Sequence, residues 1–281
     1  MIGFTRHVAT TEIARQTKLS QDIGRLQQTI STGKRLIAGS DDPAAADRIA
    51  AIRQTKADHA TWISNADTGT AIAGAADTIL GSVASALTRA KELVLTGRNE
   101  TLTATDRASL STELRGIAAD IASYAQSLDP SGRPLFPTGA VNAIPVSAAL
   151  NYAATASRGA VFDSIATGAG TQTIAAILTA AASALDSGSG TGIATGIAEI
   201  DDGLEHIAAI RTDQGIRAQR FADAKDRLQS SDADLAIERS AIEDTDLTYA
   251  LSEVQSKQVA LQAAQTIFAR THRSGLFDLL S

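Results

Sequence analysis

The chain has 281 residues, a formal net charge of −6, no cysteine and only 4% aromatic residues. The lack of cysteine excludes disulfides, thiolate zinc sites, iron–sulfur clusters and cysteine nucleophiles. Mild acidity argues against nucleic acid as the main partner, because such binding needs a strongly basic surface. A composition rich in small apolar residues but poor in aromatic ones favours long helices over the compact core of an enzyme.

The N-terminal sequence carries no sign of a secretory leader or a membrane span. It lacks the apolar run of about 7–15 residues that a cleaved signal peptide requires. The most apolar stretch, residues 174–185, is much shorter than the roughly 20 residues that cross a bilayer. We therefore expect no membrane partner, and either a soluble chain or one exported without cleavage of a signal peptide.

The first predicted element is a helix whose large aliphatic residues have heptad spacing. Leu19, Ile23, Leu26 and Ile30 step by 4, 3 and 4 residues. This spacing places them in one narrow stripe that needs a partner helix. The pattern ends at the Ser-Thr-Gly sequence of residues 31–33.

A long second helix is predicted from Pro43 to about residue 96. Asp42 can cap its first turn, and Pro43 suits the first helical position because its missing N–H costs nothing there. Such a helix would be on the order of 80 Å long. A third helix begins where Thr103 and Asp106 have the spacing of a capping box, and its heptad stripe continues to Leu128.

The centre of the chain has a different composition. Four of the five prolines lie between Pro130 and Pro145, and glycine recurs. Residues 131–171 are therefore predicted to form turns with two to four short strands. A short helix is expected over residues 174–185, followed by a flexible glycine- and serine-rich connector over residues 187–192.

The last third of the chain returns to helical periodicity. Apolar residues recur in heptad steps from Ile193, and a break is expected at residues 241–245 because Asp and Thr favour helix caps. The final helix has steps of 4 and 3 residues throughout. Its stripe consists of Leu247, Leu251, Val254, Gln258, Leu261, Gln265 and Phe268. Glutamines at such positions lower the stability of an isolated helix pair and can specify register in an assembly.

Together these elements predict a mainly α fold, in which long heptad helices from both termini form a coiled-coil rod with a small β-containing central insert. Five segments are expected. They are an N-terminal assembly helix (1–42), rod helices (43–130), a small variable outer domain (131–192), a C-terminal rod helix (193–241) and a C-terminal assembly helix (242–281). Narrow apolar stripes at both ends would stay exposed in an isolated chain, which indicates assembly.

No arrangement of residues indicates catalysis, a cofactor or a metal site. The four histidines lack metal-ligand spacing and are predicted to lie on solvated helix faces. The acidic pairs lack the ligand ladder of a calcium loop. Trp62 fits either a core position or an interface. The sequence therefore predicts that the protein is not an enzyme.

Two motifs at opposite ends of the chain resemble those of bacterial flagellins and their hook-associated relatives. Residues 30–36, Ile-Ser-Thr-Gly-Lys-Arg-Leu, and residues 39–45, Gly-Ser-Asp-Asp-Pro-Ala-Ala, resemble the N-terminal signature. Residues 242–247, Ile-Glu-Asp-Thr-Asp-Leu, running on to residues 262–264, resemble the C-terminal signature. The likeness implies a structural subunit that passes unfolded through the flagellar type III export apparatus. Its terminal helices would order into a coiled-coil inner tube on assembly.

Four further stretches are similar to the family members that join the hook to the filament. They are residues 41–43, Asp-Asp-Pro, residues 129–136, Asp-Pro-Ser-Gly-Arg-Pro-Leu-Phe, residues 159–162, Gly-Ala-Val-Phe, and residues 276–280, Leu-Phe-Asp-Leu-Leu. A junction subunit would form a homo-oligomeric ring at an extracellular position in the flagellum. It would contact a hook-associated protein on one side and flagellin on the other, and it would use an export chaperone. A short flagellin that polymerises into the filament is the alternative, and a cytosolic helical binding module is a third interpretation.

The resemblance assigns function to packing and not to a catalytic site. We expect the assembly interface to consist of the apolar residues of the two terminal stripes. These are Leu19, Ile23, Leu26, Ile30, Leu247, Leu251, Val254, Leu261 and Phe268.

Overall fold

The computed structural model describes the backbone of residues 2–277 and the side chains of residues 10–270. This part of the chain is mainly helical with four short strands, which confirms the predicted fold class. The helices are α1 (Ile2–Thr32), α2 (Pro43–Gly97), α3 (Ala104–Tyr124), α4 (Ile174–Ser187), α5 (Gly190–Glu243) and α6 (Leu247–Phe277). The strands are β1 (Ala143–Pro145), β2 (Asn151–Ala153), β3 (Ile165–Thr167) and β4 (Gly170–Gln172), and a π-helical turn spans Gly159–Asp163. Residues 278–280 of the C-terminal motif lie outside the described residues.

The chain forms two compact units. Unit 1 consists of residues 1–56 and 232–281, and unit 2 consists of residues 57–231. This division is coarser than the five segments expected from the sequence, which remain a prediction. The expected break at residues 241–245 is present, because α5 ends at Glu243 and α6 begins at Leu247.

Unit 1 is built around an antiparallel pair of helices, α1 and α6. At one end of the pair, the N–H of Thr245 donates to the carbonyl oxygen of Gly33 at 3.0 Å. Further along, the Nζ atom of Lys257 lies 3.2 Å from Oδ2 of Asp22. These two contacts show that α1 and α6 run in opposite directions. The first turns of α2 and the last turns of α5 complete the unit.

Unit 2 encloses a continuous apolar core to which α2, α3, α4 and α5 contribute. The buried residues recur at helical spacing, as expected for amphipathic helices. They include Ile72, Ala76, Leu80, Val83, Leu87, Val94, Leu114, Ile121, Ile177, Leu178, Leu185, Ile193, Ile200, Ile207 and Phe221. The Phe221 ring fills the space beside Gly69, where an added β-carbon would come within 2.4 Å of that ring. Gly69 thus allows α2 and α5 to approach closely at this level.

The helix starts follow the predicted capping chemistry. The Thr103 hydroxyl accepts a hydrogen bond from the N–H of Asp106, and the Asp106 carboxylate accepts one from the N–H of Thr103. At the start of α2, Oδ1 of Asp42 accepts a hydrogen bond from the N–H of Ala45. These side chains satisfy amide groups that the first turn of a helix leaves without partners.

The predicted stripe of the third helix extends too far. α3 ends at Tyr124, and Leu128 is 61% exposed. The Asp129 carboxylate accepts hydrogen bonds from the N–H groups of Ser131 and Arg133. Such side-chain bonds to nearby backbone stabilise a turn in place of a further helical turn. The assignment of Leu128 to the stripe is therefore wrong.

The connector between α4 and α5 is shorter than predicted. Gly188 has a left-handed backbone with φ of 66°, and its N–H bonds to carbonyl oxygens of the last turn of α4. α5 already begins at Gly190. An added β-carbon at Gly192 would come 2.9 Å from that of Ala184, so α5 packs closely on α4 immediately after the turn. The expected flexible linker is therefore a tight helix cap.

The central insert contains two separate antiparallel hairpins, β1 with β2 and β3 with β4. The four strands agree with the predicted two to four short strands. Side chains of α2 and α5 donate hydrogen bonds to backbone carbonyl oxygens of the insert. These contacts are Asn65 to Pro145 at 2.9 Å, Gln214 to Ala154 at 2.6 Å and Arg217 to Ala153 at 3.4 Å. The insert is thereby held against the two long helices of unit 2.

His59 corrects the expectation that the histidines lie on solvated helix faces. It is buried, and its ring centroid lies 5.7 Å from that of the half-buried Trp62. His206 lies with Nε2 2.9 Å from the carbonyl oxygen of Ala160 in the insert. The side chains of His7 and His272 lie outside the described residues.

By length and composition, α2 contains a window apolar enough to cross a membrane. The expectation that residues 174–185 are the most apolar stretch overlooks this longer window of α2. In the structure, apolar residues of α2 such as Leu80 and Val83 are fully buried in the core of unit 2. Of the residues in the apolar window, 33% are buried within the protein.

Candidate functional site: a junction of the two terminal motifs

The two signature motifs meet in unit 1, although more than 200 residues separate them in sequence. α1 ends at Thr32, and the next residue, Gly33, has a φ of 69°, in the left-handed region that glycine readily adopts. The N–H of Arg35 then donates to the carbonyl oxygen of Glu243 at 2.8 Å. Lys34 and Asp244 face each other as an antiparallel β-bridge. Residues 33–35 and 242–245 therefore form a short two-stranded ladder, which we call the junction.

The Glu243 carboxylate lies at the centre of the junction. Its side chain is only 9% exposed, and it accepts a hydrogen bond from Nζ of Lys34. Nε of Arg239, one turn earlier in α5, lies 3.3 Å from its second carboxylate oxygen. A buried carboxylate with two cationic partners is compensated, whereas loss of one partner leaves a costly unpaired charge. The guanidinium of Arg35 also donates to the carbonyl oxygen of Ile242 at 2.9 Å.

The loop after the junction has a shape fixed by its own side chains. Oδ2 of Asp41 accepts hydrogen bonds from the N–H groups of Ala38, at 2.9 Å, and Ile37, at 3.2 Å. The hydrogen bond from the Ala38 N–H is the main reason that the pKa of Asp41 lies below its ordinary value.

An ion pair also joins α2 to α5 in unit 1. Arg48, in the first turns of α2, forms a bidentate ion pair with Glu238 of α5, which lowers the pKa of Glu238.

A groove of about 350 Å³ opens beside the junction within unit 1. Its lining combines apolar side chains of the loop and of α2 with three charged groups. The lining residues are Lys34, Leu36, Ile37, Ala38, Gly39, Ala46, Ile49, Arg53 and Glu243. Among the described residues, no group of three or more His, Asp or Glu could hold a metal ion.

The structure places the predicted residues of α1 on the face that contacts α6. Ile23 is buried, and Leu19, Leu26 and Ile30 are half-buried. The buried Thr29 lies on the same side of the helix and bonds back to the carbonyl oxygen of Arg25. The heptad stripe of α1 is thus at least partly covered within unit 1, and its role as an assembly interface stays a prediction.

In α6, the contact face differs from the predicted stripe by one column of the heptad. Val254 is buried, and Leu261 and Phe268 are half-buried. Leu247 and Leu251 are 46% and 48% exposed. In place of Leu251, Gln258 and Gln265, the residues one position earlier are covered. Ala250 is buried and Lys257 and Ala264 are half-buried, whereas Gln258 and Gln265 are exposed. We call the set Ala250, Val254, Lys257, Leu261, Ala264 and Phe268 the contact stripe of α6.

The displaced stripe has a physical reason in the size and charge of its residues. Alanine at positions 250 and 264 allows α1 and α6 to approach more closely than leucine would. Lys257 reaches Asp22 across the pair and Glu253 on its own helix, at 3.2 and 3.3 Å. The hydrogen bond with Asp22 is the main reason that the pKa of Lys257 is raised. A search for large apolar residues alone misses these positions; an alternating Ala–Lys–Ala column at heptad spacing was the available signal.

Comparison with known proteins gives a family that contains both halves of the junction. The bacterial flagellin N-terminal helical region matches residues 5–139, and the bacterial flagellin C-terminal helical region matches residues 197–280. The chain belongs to the bacterial flagellin family. The two matches leave residues 140–196 of this flagellin-family chain outside, and all four strands lie there.

Individual relatives of this flagellin-family chain come from the hook-associated proteins. It is 34% identical over 112 residues to flagellar hook-associated protein 3 of Salmonella typhimurium, which is 40% of this chain and 35% of that protein. The match thus spans about a third of the relative's length. A flagellar hook-associated protein of Vibrio parahaemolyticus has a TM-score of 0.65 at 19% identity, over 73% of this chain and 100% of that one. The flagellar junction protein FlgL of Legionella pneumophila has a TM-score of 0.55 at 14% identity, over 72% and 100%. Both structures share the fold.

Proposed function

We propose that this chain is a structural subunit of the bacterial flagellum that connects the hook to the filament through packing of its terminal helices. The observation that carries the proposal is the junction, in which residues 33–35 pair with residues 242–245 and align α1 against α6. The helix pair buries one contact stripe and leaves other apolar side chains exposed, which is the surface an assembling subunit requires. The names of the relatives, hook-associated protein 3 and junction protein, support a position between hook and filament.

The finer parts of the proposal concern neighbours and location. The subunit forms a homo-oligomeric ring outside the cell, with a hook-associated protein on the hook side and flagellin on the filament side. An export chaperone holds it before assembly. Of the nine expected interface residues, the four of α1 and the three on the contact stripe of α6 pack within the helix pair. The exposed Leu247 and Leu251 remain available to neighbouring subunits.

The role of the helix pair is tested by placing a charge in its contact stripe. Leu26→Asp and Leu261→Asp each put a carboxylate between α1 and α6, where burying it without a partner is costly. We expect either variant to be absent from purified flagella and to fail to restore motility when it is the sole copy. Leu150→Asp, at an exposed leucine of the insert, is the matched control and should be incorporated normally.

A second measurement separates loss of assembly from loss of folding. Unit 2 of both variants should retain the thermal unfolding transition of the wild-type chain, because neither leucine lies in that unit. Normal incorporation of both Asp variants would refute the proposed role of the terminal helices.

The alternative, a short flagellin, is distinguished by self-assembly. Purified full-length protein is seeded or treated with salt and observed by negative-stain electron microscopy. A junction subunit should remain monomeric or form short oligomers, because it orders between two unlike partners. Long regular filaments of this chain alone would identify a flagellin and overturn the junction proposal.

A further inference from the structure

An open groove of about 400 Å³ runs between α4 and α5 in unit 2. Along α5 its lining extends from Thr191 to Glu199, a distance of about 12 Å at 1.5 Å per residue. Apart from Gln172 and Glu199, no lining residue is longer than threonine. We call this surface the α4–α5 groove, and the lining residues that matter below are Gln172, Ala180, Ser189, Thr191, Thr195 and Glu199.

The short side chains of the groove are explained by the close packing of its two helices. An added β-carbon at Gly196 would come 2.9 Å from that of Ala181, so α4 and α5 approach closely at this level. The alanines and glycines beside this contact leave the space of the groove unfilled. Helix packing therefore accounts for the shape of the groove but not for the carboxylate that lines it.

Glu199 is a buried carboxylate without a cationic partner. The residue is 6% exposed, and its Oε1 accepts a hydrogen bond from Nε2 of Gln172 at 2.8 Å. The same Nε2 also donates to Oγ1 of Thr167 at 3.0 Å, so both of its hydrogens are used. Oε2 of Glu199 has no hydrogen-bond or ion-pair partner among residues 10–270. A neutral amide does not compensate the charge, and burying a carboxylate is costly until a cation does.

A second acceptor lies beside this carboxylate. Thr195 stands one helical turn before Glu199 on the same face of α5, and it also lines the groove. Its hydroxyl has no hydrogen-bond partner within the described part of the chain. The oxygens of Thr195 and Glu199 can therefore accept hydrogen bonds from a single ligand group that carries several hydrogens.

These acceptors suit an ammonium better than a guanidinium. The ammonium of lysine is a compact charge with three donors, whereas arginine binds a carboxylate most strongly through both oxygens at once. In Glu199, Oε1 is already engaged by Gln172, and Oε2 alone is free. One free oxygen with a hydroxyl beside it matches the three donors of an ammonium.

We propose that the α4–α5 groove binds a lysine side chain of a partner protein, with the ammonium held between the Glu199 carboxylate and the Thr195 hydroxyl. The groove is open to solvent along its length. Sites for small molecules enclose most of their ligand, so an open groove suits a side chain presented on a larger surface. The inference concerns unit 2 and does not depend on the proposed place of the chain in the flagellum.

The partner is an unlike, basic protein and not a second copy of this chain. Unit 2 contains two lysines, and both already form ion pairs, Lys91 with Asp201 at 2.6 Å and Lys225 with Asp67 at 2.7 Å. Unit 1 has equal numbers of basic and acidic residues, so the net charge of −6 belongs to unit 2. Two copies that meet through unit 2 therefore repel each other, whereas a basic surface is attracted.

The experiment measures binding of a blocked peptide, acetyl-Ala-Ala-Lys-Ala-Ala-amide, to the full-length chain by saturation-transfer difference NMR. We expect transfer to the lysine side-chain protons and none to the same peptide with norleucine in place of lysine. The peptide with arginine should bind several-fold more weakly, because Oε1 of Glu199 is already occupied.

Two variants and one control assign the binding to the groove. Glu199→Gln retains an acceptor for the Gln172 amide but removes the charge, and it should weaken binding of the lysine peptide roughly tenfold. Ala180→Leu, at an exposed position of α4, fills the groove with an apolar side chain and should have a similar effect. Asp226→Asn removes the same charge from an exposed position of α5 and should change binding by less than about twofold. Thermal unfolding of each variant shows that unit 2 is folded.

Four outcomes would overturn the inference. The first is a wild-type chain that does not bind the lysine peptide, and the second is equal binding by Glu199→Gln and the wild type. The third is an arginine peptide that binds as tightly as the lysine peptide. The fourth is butylamine binding as tightly as the peptide, which would identify a site for a free amine. All of these readouts use purified chain, so they are independent of whether the chain is incorporated into flagella.

Discussion

The core of unit 2 and the helix pair of unit 1 bury their apolar residues to very different degrees. In unit 2, helices surround the core, and Leu80, Ile177 and Phe221 have almost no exposure to solvent. In unit 1, of the four aliphatic residues that α1 turns towards α6, only Ile23 is buried. A helix pair with one narrow stripe gains little from burial to offset the entropy of ordering its residues. We therefore expect unit 2 to be stable on its own contacts and the helix pair of unit 1 to be the less stable part.

The two regions also differ in what they leave uncovered. The described part of unit 1 exposes several large apolar side chains, namely Ile13, Ile37, Ile237, Leu247, Tyr249, Leu251, Val259 and Ile267. In the larger unit 2, fewer large apolar side chains are exposed, namely Leu95, Leu128, Leu150 and Ile216. Buried polar side chains, above all Gln214, hold its insert in place. We therefore expect calorimetry to resolve two transitions, with the helix pair unfolding first.

The largest effect should come from Phe221→Ala. Phe221 is fully buried, contacts Tyr152 edge-on with ring centroids 5.7 Å apart, and fills the space beside Gly69. Removing the ring should destabilise unit 2 by about 3–5 kcal/mol. Val254→Ala, in the contact stripe of unit 1, should cost only about 1–2 kcal/mol and shift only the first transition. Equal losses in the two variants would contradict the comparison; differential scanning calorimetry measures both.

Gln214→Leu should have the next largest effect. Nε2 of Gln214 donates to the carbonyl oxygens of Ala73, at 3.2 Å, and Ala154, at 2.6 Å, inside unit 2. Leucine leaves both buried carbonyls without this donor, at a cost of about 1–3 kcal/mol. Hydrogen exchange of the β1–β2 hairpin should accelerate accordingly. Gln219→Leu, at an exposed position of the same helix, is the control and should change stability by less than about 0.5 kcal/mol.

Much of the helical framework could be predicted because its signals are local. Capping residues such as Thr103 and Asp42 stand next to the helices they start, and the heptad spacing of α1 is continuous. Heptad spacing gave a wrong prediction at Leu128, because spacing alone does not show that the Asp129 carboxylate accepts hydrogen bonds from the following backbone amides. The end of a helix here is decided by hydrogen bonds that compete with the next turn.

The candidate site could be predicted less well, because its decisive contacts join distant parts of the sequence. Lys257 counts as polar in any search for a stripe until Asp22 is known to lie opposite it. Glu243 likewise has no local feature that distinguishes it from the acidic residues around it, yet it is buried between Lys34 and Arg239. The family resemblance identified both motifs but not the ladder that joins them.

The smallest expected effect concerns acid and the loop of unit 1. Because hydrogen bonding, chiefly from the Ala38 N–H, lowers the pKa of Asp41, its contribution to stability is complete above the ordinary carboxyl value of 3.8. That contribution is lost as the pH falls through the lowered pKa of the folded state. Asp41→Asn retains acceptors for the Ala38 and Ile37 amides but removes the titration. The first calorimetric transition of Asp41→Asn should therefore fall less steeply below about pH 4 than that of the wild type. The second transition should keep its acid dependence, since Asp129 and Asp186 of unit 2, whose pKa values are also lowered, are unchanged in this variant. A shift of the second transition as large as the first would mean that the loop does not belong to the separately unfolding helix pair.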